Sequence, residues 1–67
     1  MYILRKEKAQ YIKETYKQIK MAKEIGISNT HLSLMLNHNK ECSKPVAYCI
    51  TKYVNEDAEI EDFFKRI

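Results

Sequence analysis

Asn29, Thr30, Ser33 and Asn37 are short, uncharged side chains that form hydrogen bonds, and positions 30, 33 and 37 follow the spacing of one helix face. Asparagine donates and accepts at once, which matches the N6 and N7 edge of adenine, and threonine can pack its methyl against that of thymine. The chemistry on offer is recognition of base edges. Other chemistries lack their parts. His31, His38, Cys42 and Cys49 are separated by six, three and six residues, which fits no usual zinc-ligand spacing, so no metal site is expected. Nucleophilic catalysis needs a base and an orienting group in a pocket, and a chain of 67 residues has little pocket to offer. No enzyme activity and no cofactor are expected. Among the tyrosines, Tyr11, Tyr16 and Tyr53 fall near apolar positions, Tyr2 and Tyr48 are expected at the surface, and none signals a cofactor.

The elements that must position these residues can be read on either side of Gly26. Met21, Ala22 and Ile25 line one side of a helix over 18–25, and Leu32, Met35 and Leu36 line another over 29–37. Glycine reaches left-handed backbone angles without a Cβ penalty, so Gly26 ends the first helix and turns the chain. Ile27 plugs the corner. Ser28 is placed to cap the second helix.

Around this pair the spacing predicts a helix over 3–15 that buries Leu4, Ala9 and Ile12, with Tyr16 closing the loop behind it. A polar connector follows over 38–44. Pro45 suits a first helical turn, and Val46, Cys49, Ile50 and Tyr53 mark the core face of a helix over 44–54. Cys42 and Cys49 are expected to be reduced, with Cys49 packed as a small hydrophobe. A closing helix near 59–66 would line up Ile60, Phe64 and Ile67. Phe63 then sits about 100° off that stripe, so Phe63, Phe64 and Ile67 are expected to form a self-association surface.

One Gly, one Pro and no alternating strand pattern favour an all-α fold. So short a chain buries only about 60% of its unfolded surface, enough for one domain over 1–67. No long apolar run and no leader pattern stand out, so a cytoplasmic protein without a membrane span is expected. Charge is uneven: residues 1–23 carry +5 and residues 41–67 carry −2, within a net charge of +3. Such a dipole turns the N-terminal part toward a polyanion.

Gln18, Ala22, Gly26, Ile27, Leu32 and Ser33 resemble, in type and spacing, the helix-turn-helix of the lambda repressor and Cro family of bacterial and phage regulators. The resemblance spans nearly the whole chain and implies that family's compact five-helix DNA-binding domain, with the motif over 18–37. Two positions depart from it: Asn39 stands where glycine is frequent, and Lys17 where a capping Ser or Thr is frequent. The resemblance implies a sequence-specific transcriptional regulator of phage or mobile-element type that binds double-stranded DNA through the major groove as a homodimer. Ser28, Asn29, Thr30, Ser33 and Asn37 would contact bases. Lys17, Gln18, Lys20, Asn39, Lys40 and Lys44 would contact phosphates. With no Arg or Lys on the second helix, the half-site is expected to lean toward A·T. The alternative is a protein-interaction module, an antirepressor or inhibitor that grips a partner with the acidic C-terminal helix and Phe63/Phe64.

Overall fold

Two residues with positive φ punctuate the chain, Gly26 at 90° and Asn39 at 54°. In the computed structural model, which describes Met1–Ile67, they end two of five helices. The order is β1 (Tyr2–Leu4), α1 (Lys6–Thr15), α2 (Gln18–Ile25), α3 (Asn29–His38), α4 (Lys44–Val54), α5 (Ile60–Phe63) and β2 (Phe64–Arg66). The fold is mainly helical. This is consistent with the all-α expectation, to which a small antiparallel sheet is added: Tyr2 faces Arg66, Ile3 faces Lys65 and Leu4 faces Phe64.

The sheet shortens both terminal helices. Residues 3–5 were expected inside the first helix, but Tyr2 and Leu4 alternate inward as a strand, and the Arg5 amide donates to the Phe63 carbonyl at 2.8 Å before α1 begins. The closing helix stops after four residues, at Phe63. This break removes the conflict that a single helix over 59–66 would face: switching from helix to strand between Phe63 and Phe64 sends both rings into the core. Phe63 is 5% exposed and Phe64 1%. The self-association surface expected at Phe63 and Phe64 is therefore not a surface, and of the three residues only Ile67, 62% exposed, lies open.

The core gathers Leu4, Ile12, Met21, Leu32, Met35, Ile50 and Phe64. α4 turns a different face to it than hydropathy suggests: Ala47, Ile50 and Thr51 are buried, Val46 and Tyr53 are partly buried, and Cys49 is exposed. Small side chains at 47 and 51 let the helix approach closely. The Thr51 hydroxyl is satisfied by donating to the Ala47 carbonyl at 2.9 Å. Tyr53 lies edge-on to Tyr16, with ring centroids 5.5 Å apart. Its hydroxyl donates to the Glu24 carboxylate, which holds its pKa above the usual 10.0. Tyr2, expected outside, is buried, whereas Tyr11 is exposed.

Cys42 and Cys49 exchange their expected places. The connector after α3 is anchored by Cys42, whose amide donates to the Tyr2 carbonyl and whose carbonyl accepts from the Tyr2 amide, both at 2.9 Å. Burial raises the Cys42 thiol from 9.0 to about 11. A folded pKa above the unfolded one means that folding favours the protonated thiol. That contribution is complete below about pH 9 and is lost as pH rises toward 11. A thiol reagent at pH 8 is expected to label Cys49 rapidly and Cys42 only on unfolding. Two equally fast thiols would contradict this placement.

Gly26 also makes a measurable prediction. A Cβ at this position would meet nothing within 4 Å, so only the backbone opposes a side chain at φ 90°. Gly26→Ala is expected to lower the unfolding free energy by roughly 1–2 kcal/mol in urea titration, and Gly26→Asn by less, because asparagine tolerates the left-handed region. Equal losses for the two variants would mean that strain at φ is not the cause.

Candidate nucleic-acid interface

α3 is anchored at its start by Ser28, whose hydroxyl oxygen accepts from the His31 amide at 3.0 Å. Leu32, Met35 and Leu36 face inward, packing α3 against both α1 and α2. The helical period then turns Thr30, Leu34 and Asn37 outward, with Ser33 on the flank. All three outward residues are exposed and Ser33 is partly so. This ridge carries no charge.

Its two ends are tied to different helices. At the N-terminal end the Gln18 side-chain amide donates to the Asn29 side-chain oxygen at 2.9 Å and to the Asn29 carbonyl at 3.3 Å. Asn29 is thereby left with its amide hydrogens as donors for an outside acceptor. At the C-terminal end, Asn37 donates to the Ser33 carbonyl at 3.1 Å and approaches the Ser33 hydroxyl oxygen at 3.4 Å. Its own oxygen accepts from Lys13 Nζ at 3.2 Å. The expected base-reading set is thus brought together only in part: Asn29, Thr30 and Ser33 present free groups, whereas Ser28 is engaged as a cap and Asn37 is bound at both ends of its carboxamide.

The expected phosphate-contacting residues fall at three places: beside Asn29, just past α3, and at the start of α4. Lys17, Gln18, Lys20 and Asn29 line one shallow cleft together with Ile19 and Lys23. Asn39 takes the left-handed conformation just past α3, and the Lys40 amide donates to the Leu34 carbonyl at 3.2 Å. Lys44 opens α4. The acidic residues Glu56, Asp57, Glu59, Glu61 and Asp62 lie exposed around α5, in another part of the chain.

The sequence reading missed two apolar members of this surface. Leu34 is 38% exposed in the middle of the ridge, and Ile19 is 69% exposed beside Gln18. Position 34 shares a face with 30 and 37, so helical spacing alone could have found it. Being leucine hid it. His31 is partly buried, and its Nε2 is buried without a hydrogen-bond partner.

No group of three or more His, Cys, Asp or Glu side chains is arranged to hold a metal ion. No helix is long and apolar enough to cross a membrane. No protein-family model, curated protein or solved structure matches this chain. What the surface can bind follows from its own chemistry. The surface offers a neutral, hydrogen-bonding ridge with one exposed leucine, and lysines in the cleft at its N-terminal end.

Proposed function

We propose that the chain is a sequence-specific double-stranded DNA-binding regulator, with α2, the Gly26 turn and α3 acting as a helix-turn-helix. The observation that carries this reading is the α3 ridge of Thr30, Ser33 and Leu34, with the Gln18–Asn29 pair at one end and lysines around it. α3 enters the major groove, Thr30 and Ser33 reach base edges, and the donor left on Asn29 meets a purine N7 or a phosphate oxygen. Leu34 packs against thymine methyls, which adds to the A·T leaning of the half-site. Lys17, Lys20, Lys40 and Lys44 supply the sequence-independent share of the affinity. Two copies occupy half-sites one helical turn apart, about 34 Å, as operator binding by a Cro-like repressor requires.

The rival reading, a protein-gripping inhibitor, keeps the exposed acidic residues around α5 but not the two phenylalanines it would use, which are buried. Selection from a pool of randomised duplexes tests the proposal. Recovery of inverted half-sites rich in A·T is the expected result, and a pool that stays random over successive rounds would overturn it.

A further inference from the structure

A second cation cluster lies at the far end of α3 from Lys17 and Lys20. A groove lined by Lys6, Gln10, Lys13, Asn37 and Asn39 neighbours another that shares Lys6 and Asn39 and adds Lys65 and Ile67. The sheet builds this cluster: pairing of Ile3 with Lys65 carries a residue from the last strand to the start of α1. Glu7 is the one acidic side chain lining the two grooves. Arg5 also lines the second groove, but its guanidinium is engaged, donating to the Glu61 carbonyl at 3.0 and 3.1 Å. Lys13 marks the junction with α3 through its contact with Asn37 at 3.2 Å.

We infer that Lys6, Lys13 and Lys65 form a second phosphate-binding wall, so that a single copy grips both backbones bordering the groove that α3 enters. This rests on the DNA-binding reading. Asn29 touches the first cluster and Asn37 the second, and the eight steps from one to the other span about 12 Å at a rise of about 1.5 Å per residue. The major groove is also about 12 Å wide, with a phosphate strand on either side. Asn37 accordingly serves to hold Lys13 at the edge of the groove. The small sheet has a function beyond closing the fold, since without β2 there is no Lys65 beside Lys6.

Phosphate contacts do not depend on sequence, so a mixed-sequence duplex of about 30 bp serves as the probe. The measurement is the slope of log affinity against log salt for the wild type, for a variant combining K6Q, K13Q and K65Q, and for the corresponding triple Lys→Arg variant. Each lost contact flattens the slope by about 0.9, so the Gln variant is expected to lose between about 2 and 3 units and the Arg variant to keep the wild-type slope. K52Q is the control for net charge. Lys52 is held by the carbonyls of Ala58 at 2.7 Å and Glu56 at 3.2 Å, and its loss should change the slope by less than about half a unit. If the triple Gln variant is poorly folded by circular dichroism, K65Q alone, on an exposed strand position, is expected to flatten the slope by about one unit. A wild type that binds with a slope unchanged in the Gln variants would overturn the second wall and leave DNA binding intact. A wild type that fails to bind the duplex even at low salt would overturn both.

Discussion

Phe64→Ala is expected to leave the domain largely unfolded at room temperature. Phe64 heads the largest fully buried side chains, and truncating a buried phenylalanine removes about 3–5 kcal/mol through lost burial and the cavity left behind. A 67-residue domain has in total roughly 3–10 kcal/mol of stability, so one such loss consumes most of it. Phe63→Ala belongs to the same class. Its ring is buried with Lys8 Nζ 4.9 Å from its centroid, so truncation also leaves that ammonium without its aromatic partner. Ile67→Ser, by contrast, changes an exposed side chain and should stay within about 0.5 kcal/mol of the wild type. Urea titration of the three variants separates core from surface. A Phe63→Ala protein as stable as the wild type, but with altered sedimentation, would return Phe63 to an interface and refute its place in the core.

The places where sequence and structure part company share a physical cause. α2, the turn and α3 are governed by neighbours in sequence: Gly26 alone can take φ 90° cheaply, and Met21, Leu32 and Leu36 keep a 3.6-residue period. Their bounds come out nearly as read, with α3 one residue longer. Strands β1 and β2 obey no such local signal. Tyr2–Leu4 becomes a strand because Phe64–Arg66 is there to pair with it, at the opposite end of the chain. On α4, hydropathy favours Val46 and Cys49 over Ala47 and Thr51, whereas close approach of the backbone rewards small side chains. Cys42 falls in a polar connector, and its anchor, the Tyr2 backbone, is forty residues away in sequence.

The candidate site shows the same division. The types and the face of Asn29, Thr30 and Ser33 were evident from spacing. The pairing of Gln18 with Asn29 and of Lys13 with Asn37 was not, because each joins residues of different helices. Those bonds change roles. They occupy both ends of the Asn37 carboxamide and leave Asn29 with its amide hydrogens as free donors, while Leu34 stands outward between them.

Thr30→Ala, Ser33→Ala and Leu34→Ala are therefore expected to weaken binding to the selected site by about 1–3 kcal/mol each, roughly 5- to 150-fold, with little change on mixed-sequence DNA. Each contact fails differently. Loss of the Thr30 or Ser33 hydroxyl leaves a base-edge group without its partner, so discrimination falls at the base pair concerned. Loss of Leu34 exposes thymine methyls, and replacing those thymines with uracil in the duplex should weaken the wild type and leave Leu34→Ala unaffected. Asn37→Ala gives the opposite pattern. Because Asn37 holds Lys13 and the Ser33 backbone, its loss should lower affinity for specific and mixed DNA alike. A version of the site in which Thr30→Ala and Asn37→Ala behaved identically on the two DNAs would mean that the ridge does not read bases, and that the lysines around it bind the duplex without regard to sequence.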